Sequence, residues 1–510
     1  MSASEKDPLL PSNKDTSIQT RTPPDAVSQL SNSGDASSEQ RQPFDISGRR
    51  LTRRSSELAQ AHLQRLKLYS RLAPANKPNS IIMPAHVLPD SIFVIGLPKG
   101  GEQSSYVTIL SLWNTMMGTS VLAMPWAISQ AGFALGLLCI VIMCGLALYT
   151  CQIVLASGQG GRMNGTDVEF IDVCLHYLGK KAYIVAMLFS VLTLVGACMV
   201  YWVLMSSFLY TSVDYFHAPG NHTDEGTWGD YWNTSYVPLY LVIIVFPLLN
   251  FKSLSFFTRF NSLGIVSIVY ILFFVVYAAA NGGSYDNSPV GGINFDHQTL
   301  FSSNFVSFTG VLALSFFIHN GVLSIMRNQR NPENNARDLN LAYLFVALTY
   351  TIVGVIYYLA YKGDKTKINN NFLLDFKKDA DNFLFALLAD VFLFIQMLTV
   401  FPLLMYIVRF QVLTALFNGK EWPGTLHVVV LNLMVTTCCV LIAVFYPSIG
   451  TILRYTGAFS GLVYLFALPA LTKMEMQRRK GELTVWSKIF HYGLILIGLL
   501  NVIGQFLVSS

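Results

Sequence analysis

The chain has 510 residues, of which 53% are hydrophobic and only 12% are charged. A soluble protein of ordinary composition carries about 25% charged residues, so this composition predicts a protein embedded in a membrane. It excludes a secreted disulfide scaffold, a water-soluble enzyme and a fibrous protein. The net charge of +5 is too small for a chain of this length to indicate binding to nucleic acid.

Charge is concentrated in a polar leader, residues 1–105, which holds 13 Lys and Arg and 10 Asp and Glu. Residues 1–48 are predicted to be a disordered cytosolic tail, because they bury too little apolar surface to offset the entropy of ordering. Within this tail, Glu5 followed by Leu9 and Leu10 resembles an acidic dileucine sorting signal. The alternative is a chance match in a polar tail.

Residues 49–105 form a second cytosolic segment in this interpretation. Its first part, residues 49–71, has seven basic residues, one Glu and several interspersed leucines. This pattern fits a short basic helix that lies on anionic lipid or on a partner, with a solvated charge run as the alternative. Five prolines over residues 74–98 exclude a long helix from the second part.

Residues 106–510 are predicted to be a transmembrane transporter domain of an all-α polytopic membrane protein. Apolar runs of about 20 residues follow one another, and each is long enough to cross a hydrocarbon core of about 30 Å as a helix. The eleven predicted spans are 106–131, 133–157, 182–211, 236–251, 257–281, 304–326, 339–361, 383–408, 425–446, 450–472 and 487–508.

Positive charge predicts the orientation of these spans. With a cytosolic N-terminus, 28 of the 34 Lys and Arg lie on the cytosolic side. Sequons at Asn221 and Asn233 then fall in a lumenal loop, where glycosylation is expected. A third sequon, at Asn164, would be cytosolic and unused. The odd number of helices places Ser510 in the lumen.

The first span contains a cluster of polar and small residues, Asn114-Thr115-Met116-Met117-Gly118-Thr119-Ser120. Because an unsatisfied polar group in hydrocarbon costs several kcal/mol, the cluster predicts an interrupted helix that unwinds at Gly118. Freed N–H groups at such a break can hold an α-carboxylate, and freed carbonyls with side-chain oxygens suit a Na⁺ ion. The alternative is a small-residue motif for helix packing.

Secondary transporters often repeat a five-helix unit in inverted orientation, with the first helix of each unit broken. The sixth span is the counterpart of the first, and it places Thr309, Gly310 and Ser315 at depth. This correspondence predicts a five-plus-five inverted repeat, with the eleventh helix outside it.

Two further polar residues stand out in later spans. Thr399 precedes Pro402, which removes an intrahelical hydrogen bond and frees local carbonyls for an ion; alternatively, Thr399 bonds to its own helix backbone. His491, near the cytosolic start of the eleventh span, is a weak candidate for a pH sensor, because histidine titrates between the pH of the cytosol and that of an acidic lumen. The alternative is an interfacial histidine with a water or backbone partner.

The Asn114–Ser120 element, its context from Trp113 to Phe133 and the element Phe316–Asn320 resemble the amino acid/auxin permease superfamily, and within it the lysosomal sodium-coupled neutral amino acid transporters. The resemblance extends from about Tyr69 to the C-terminus. It implies a LeuT-like fold with eleven transmembrane helices, no enzymatic activity and no organic cofactor.

The resemblance also implies a function. Arginine would bind between helices 1, 3, 6 and 8 and stimulate the efflux of leucine and other large neutral amino acids from the lysosome, coupled to or modulated by Na⁺. The protein would sense arginine and signal to the Rag GTPases, the Ragulator complex and the TOR complex. The alternatives are an arginine receptor that does not transport, and a plain Na⁺-coupled neutral amino acid carrier without a signalling role.

Residue roles follow from the resemblance position by position. Sodium ligands would be Asn114 and Thr399. The substrate site would be lined by Thr115, Met116, Met117, Gly118, Thr119 and Ser120, to which the predicted inverted repeat adds Thr309, Gly310 and Ser315. In the family, a leader segment docks on the partner complex and can plug the cytosolic vestibule. The positions of this chain that match that segment are Tyr69, Leu72, Pro84 and His86. The chain departs from the family before residue 60 and at Ala85, where the family has an acid.

Overall fold

The structure is a computed structural model in which placement is described for residues 104–160, 169–217, 231–250, 263–281, 290–293, 299–327, 329–378, 382–417 and 423–508. The predictions for the leader and for Asn221 lie outside these residues. They concern Glu5, Leu9 and Leu10 in the tail, and Tyr69, Leu72, Pro84 and His86 in the docking segment.

The described part of the chain forms helices joined by turns and loops, and Val290 and Tyr361 form an isolated β-bridge. Its α-helices, numbered in chain order, are α1 (Ser105–Met116), α2 (Ser120–Ala131), α3 (Phe133–Gly160), α4 (Phe170–Leu178), α5 (Lys180–His217), α6 (Val237–Leu249), α7 (Leu263–Asn281), α8 (Phe305–Ser315), α9 (Val322–Met326), α10 (Asn335–Ala360), α11 (Phe383–Leu416), α12 (Thr425–Phe445), α13 (Ile449–Ser460), α14 (Leu468–Lys480) and α15 (Val485–Leu507). A π-helical segment, Gly461–Ala467, joins α13 to α14, and short 3₁₀ helices cover Pro332–Asn334, Lys365–Lys367 and Phe372–Lys378.

Seven of the described helical runs are long and apolar enough to cross a membrane. They are α3, α5, α10 with the turn before it, α11, α12, the run from α13 to α14, and α15. The pair α1 and α2, bent by 60°, is an eighth if it is one broken span. These helices confirm an all-α polytopic membrane architecture, while the predicted count of eleven also requires the shorter apolar helices α6, α7 and α8 to cross.

The surfaces of these helices suit lipid better than water. Large apolar side chains point outward on several of them, such as Val141 on α3, Leu433 on α12 and Phe506 on α15, each at least half exposed. The inner faces carry the polar residues, including Asn114, Asp338 and Gln505. An apolar exterior with polar groups turned inward is the arrangement expected inside a bilayer, where outward polar groups have no water to bind.

Two helical segments that lie between the predicted spans were not predicted from the sequence. Helix α4 begins with a capping box, in which the side chain of Asp172 accepts from the backbone N–H of Glu169 at 3.0 Å. Helix α14 continues to Lys480, and the Arg479 guanidinium donates to the carbonyls of His176 at 3.0 Å and Tyr177 at 3.2 Å. Helix α4 has only nine residues, which is too short to cross a membrane, and the end of α14 is too polar to do so, so hydropathy predicts neither of them as a span.

Candidate functional site

The first interrupted helix breaks where Gly118 predicts it. Helix α1 ends at Met116 and α2 begins at Ser120, so three residues lie outside both helices. Local hydrogen bonds close each side of the break: Met117 N donates to Trp113 O at 3.0 Å, and Val121 N donates to Gly118 O at 3.2 Å. The break therefore leaves backbone groups of a spanning segment outside a regular helix.

The side chains around this break supply uncharged oxygen atoms. Asn114, Thr115 and Ser120 are buried, and Thr119 is partly exposed. Within the described residues, no hydrogen bond is made by the hydroxyls of Thr115, Thr119 or Ser120. By contrast, the hydroxyl of Ser111 in the same segment donates to the carbonyl of its own helix at 2.7 Å. The hydroxyls at the break are thus available to a ligand.

A second helix is interrupted at the counterpart position in the sequence. Helix α8 ends at Ser315 and α9 begins at Val322. Between them, the buried imidazole of His319 places Nε2 2.9 Å from the Thr150 hydroxyl. The side chain of Ser315 donates to Val311 O of its own helix at 2.8 Å.

Tyr350 of α10 brings the two breaks together. Its buried hydroxyl lies 2.7 Å from the carbonyl oxygen of Met116, the last residue of α1. The same hydroxyl lies 3.2 Å from the carbonyl oxygen of Ser315, the last residue of α8. We call the region formed by residues 114–120, residues 315–321 and Tyr350 the two-break site.

The two-break site contains no Asp, Glu, Lys or Arg, and His319 is its one histidine. Its polar groups are backbone N–H and C=O groups, hydroxyls, the imidazole of His319 and the amides of Asn114 and Asn320. Such a site can bind a zwitterion through partial charges at helix ends, without a fixed ionic partner. These groups are suited to the recognition of a small polar ligand.

The predicted residues Thr309 and Gly310 lie on another side of α8. The hydroxyl of Thr309 is 2.8 Å from Oδ1 of Asn501 in α15. A Cβ atom added to Gly310 would stand 2.6 Å from the carbonyl oxygen of Arg454 in α13. In this conformation both residues serve helix packing, and the structure does not bring them to the breaks. Their contact with a substrate stays a prediction.

The two remaining predicted residues inside the helices have local partners. Thr399 donates to Gln396 O of its own helix at 2.7 Å, and α11 packs chiefly against α5. The buried ring of His491 has Nδ1 2.7 Å from Ser487 O and Nε2 3.1 Å from the hydroxyl of Tyr149. The sodium role of Thr399 and the pH-sensing role of His491 stay predictions.

Asn233 is the one sequon asparagine that lies in the described part of the chain. Its side-chain oxygen accepts from the backbone N–H groups of Ser235 at 2.9 Å and Tyr236 at 3.0 Å, at an exposed turn before α6. The glycosylation of Asn233 stays a prediction.

Sequence reasoning missed the tyrosines of α10 and a buried arginine. Tyr343, Tyr350 and Tyr357 recur every seven residues, and this spacing is the signal that places them on one helix face. Arg454 is buried and donates to the Ser307 hydroxyl at 2.9 Å and to Gln505 O at 3.3 Å. The sequence feature that could have identified Arg454 is its position as an arginine inside an apolar span.

Comparison with known proteins gives a consistent picture. A sodium-coupled neutral amino acid transporter 9 homolog of Caenorhabditis elegans is 40% identical over 87% of this chain and 80% of its own length. A neutral amino acid transporter 9 of Danio rerio is 39% identical over 92% of this chain and 95% of its own length.

The crystal structure of MhsT in complex with L-phenylalanine aligns over 80% of this chain and 99% of its own. Its sequence identity is 12% and its TM-score of 0.47 is too low to establish a shared fold. The family described as transmembrane amino acid transporter protein matches residues 102–509. With four fifths of the chain inside this match and two relatives near 40% identity, the chain belongs to the family of transmembrane amino acid transporter proteins.

Proposed function

We propose that the protein carries amino acids across the lysosomal membrane by alternating access. The observation that carries this proposal is the meeting of two interrupted helices at the Tyr350 hydroxyl. Paired breaks expose backbone donors and acceptors to one small volume inside a helical bundle, which is the arrangement that secondary transporters use for substrate and coupling ion.

An amino acid would bind at the two-break site through its own two charges. The α-carboxylate would lie at the start of α2, where N–H groups point away from the helix and the dipole is positive. The α-ammonium group would lie near the carbonyls that end α1 and α8, at Met116 and Ser315. The hydroxyls of Thr115, Thr119 and Ser120 would complete the polar shell, with Met116, Met117 and Gly118 lining it.

The absence of charged side chains in residues 114–120 and 315–321 supports neutral amino acids such as leucine as cargo. Arginine as a ligand rests on resemblance, because these two stretches offer no carboxylate to a guanidinium group. We propose that arginine regulates the efflux of leucine and other large neutral amino acids.

Sodium is proposed as the coupled ion. Support comes from the printed name of the Caenorhabditis elegans relative, which is sodium-coupled, and from the neutral oxygens that Asn114 and Thr399 carry. Amide, hydroxyl and carbonyl oxygens are hard ligands of the kind that a small hard cation prefers.

The proposed topology has eleven spans in a LeuT-like five-plus-five inverted repeat, with the N-terminus in the cytosol and the C-terminus in the lumen. It is supported by the two breaks at corresponding positions, by the excess of positive charge on one side and by the sequons at Asn221 and Asn233. The leader would then face Rag GTPases and Ragulator in the cytosol and report amino acid sufficiency to the TOR complex.

Two other functions compete with this proposal. The first is an arginine receptor that binds but does not transport, and the second is a plain Na⁺-coupled carrier without a signalling role. The interrupted helices favour a carrier over a pure receptor, because a receptor needs no backbone groups exposed in the interior of a membrane.

Uptake of labelled leucine and arginine into proteoliposomes tests the proposal. Thr119 is partly exposed at the first break, so a Thr119→Trp substitution should fill the two-break site and reduce uptake by at least about tenfold. Leu110→Trp is the matched control: Leu110 is 47% exposed on the outer face of the same segment, and the substitution should leave uptake near the wild-type rate.

The same assay separates a receptor from a carrier and tests the coupling to Na⁺. A receptor would bind arginine, detected as a shift in the thermal midpoint, while the wild-type protein shows no uptake. A carrier without coupling would show equal uptake with and without a Na⁺ gradient. Equal uptake by Thr119→Trp and Leu110→Trp would contradict the assigned site.

A further inference from the structure

Three tyrosines line one face of α10 at intervals of seven residues. Tyr343, Tyr350 and Tyr357 are fully buried, and seven residues are close to two turns of an α-helix. Each hydroxyl reaches a polar group of another segment: Tyr343 donates to Phe316 O at 3.1 Å, and Tyr357 donates to Asp375 Oδ2 at 2.8 Å. Tyr350, the central member, touches both interrupted helices.

The two acceptors of Tyr350 are unusual carbonyls. Met116 and Ser315 are the last residues of α1 and α8, and the final carbonyls of a helix have no intrahelical donor. The hydroxyl lies 2.7 Å from the first oxygen and 3.2 Å from the second. Because a tyrosine hydroxyl has one proton, the two carbonyls share a single donor.

Aromatic contacts hold the ring in this position. Phe316, the first residue of the second break, packs edge-on against Tyr350 with ring centroids 5.7 Å apart. Beside Tyr350 in the sequence, Thr349 accepts a hydrogen bond from the indole of Trp113 at 3.1 Å, on the segment that leads into the first break. Helix α10 is therefore anchored to both broken helices at one level, and the Tyr350 hydroxyl is the atom common to them.

We propose that Tyr350 is a positioning residue that holds the two breaks at a fixed separation, so that their free backbone groups face one amino acid together. This inference rests on the proposed transport function. A neutral O–H group suits the task, because it satisfies a carbonyl in a region of low dielectric without bringing a charge that would compete with the substrate. Without it, the two breaks lose the donor that they share, and the ligand must supply part of their relative order.

The predicted consequence is a loss of affinity with little change in maximal rate. In Tyr350→Phe the ring and its packing remain, and only the bridging proton is lost. We expect the KM for labelled leucine in proteoliposomes to rise about tenfold, because the ligand must then order both breaks. The maximal rate should stay within about twofold of wild type, since the groups that contact the substrate are unchanged.

The same helix offers a matched control. Tyr358 is also fully buried, and its hydroxyl has no hydrogen-bond partner among the described residues. Tyr358→Phe removes the same atom from a buried position where it makes no hydrogen bond, so KM should be unchanged and the thermal midpoint should stay level or rise. Tyr343→Phe removes a hydroxyl that contacts the second break at Phe316 O and α3 at Ala147 O, but not the first break, so its KM should rise less than that of Tyr350→Phe.

Each other outcome overturns the inference. An unchanged KM in Tyr350→Phe, or a thermal midpoint that falls with no change in KM, would give the hydroxyl a structural role only. Equal KM values for the Tyr343 and Tyr350 variants would show that contact with both breaks has no special effect on affinity. Failure of Tyr350→Phe to fold would also overturn the inference, because the hydroxyl would then have a structural role. Absence of uptake by the wild-type protein is a failure of the proposed function. In that case leucine binding tests the inference: leucine should raise the thermal midpoint of Tyr350→Phe less than that of the wild-type protein, and equal shifts would overturn it.

Discussion

At the scale of single residues, the 3₁₀ helix Phe372–Lys378 holds a carboxylate in an unfavourable environment. Burial raises the pKa of Asp375 above its ordinary value of 3.8, and hydrogen bonds from Asn369 and Tyr357 oppose this effect. The bond from the Tyr357 hydroxyl is 2.8 Å long. Asp375 thus links the loop between α10 and α11 to the tyrosine face that also carries Tyr350.

The raised pKa predicts that acid stabilises this loop. A folded state that binds the proton more tightly than the unfolded state is most stable below the ordinary pKa, and it loses that advantage as the pH rises to the raised pKa. Protection of the amides of residues 369–376 from hydrogen exchange should fall over this window, by at most about tenfold per pH unit for one proton.

The measurement is hydrogen exchange of the purified protein between pH about 4 and about 7, corrected for intrinsic exchange rates. Asp375→Asn is the control, because its amide does not titrate and its corrected protection should be constant. Identical pH profiles for the two proteins would mean that Asp375 does not govern the loop.

At the scale of elements, two glycines allow α8 and α13 to pack backbone to backbone. A Cβ atom on Gly457 of α13 would collide with the carbonyl oxygen of Gly310 of α8 and stand 2.9 Å from the Cβ of Leu314. Such close approach is typical of small residues in membrane helices, where association depends on van der Waals packing. It fixes α8, and hence the second break, against the bundle.

Gly457→Ala is therefore expected to destabilise the protein. The helices must separate, at a cost of about 1–3 kcal/mol, which exceeds the gain of about 0.5–1 kcal/mol from replacing a helical glycine. The thermal midpoint of the purified protein should fall. For Gly493→Ala, where the new methyl group meets nothing within 4 Å, it should stay level or rise. Equal midpoints for the two variants would contradict the packing argument.

At the scale of the whole molecule, the chain combines a charged leader with a membrane body of low charge. Residues 1–105 hold 23 of the 63 charged residues. In the proposed topology this polar leader is cytosolic, so it would bind a partner without disturbing the helices, and ligand binding that expelled it from a vestibule would couple transport to signalling.

Deletion of residues 60–90 should abolish capture of the Rag GTPases and Ragulator by the full-length protein in intact lysosomes. The closed membrane leaves only the cytosolic face accessible, so capture also requires a cytosolic leader. Deletion of residues 2–48 is the control and should leave capture unchanged, because the matching positions Tyr69, Leu72, Pro84 and His86 remain. If capture survives the deletion of residues 60–90, these residues do not contain the docking segment.

Much of the helical architecture was predictable because hydrocarbon imposes a single local rule. A backbone that crosses it must bond to itself, so apolar runs of sufficient length report helices directly. Gly118, with polar residues on both sides, also predicted the first break. Hydropathy could not predict α4, which is stabilised by a capping box, or the end of α14, which is stabilised by contacts of Arg479.

The sequence by itself determined that this protein is a helical membrane transporter with an interrupted first span, since composition, periodicity and the Asn114–Ser120 element are local properties. Only the tertiary structure decided which residues share a site. Thr309 and Ser315 lie six residues apart on α8, yet one faces Asn501 and the other ends the helix beside Tyr350. That division depends on which neighbour each helix face meets, and Met116 and Tyr350, 234 residues apart, meet only in the folded chain.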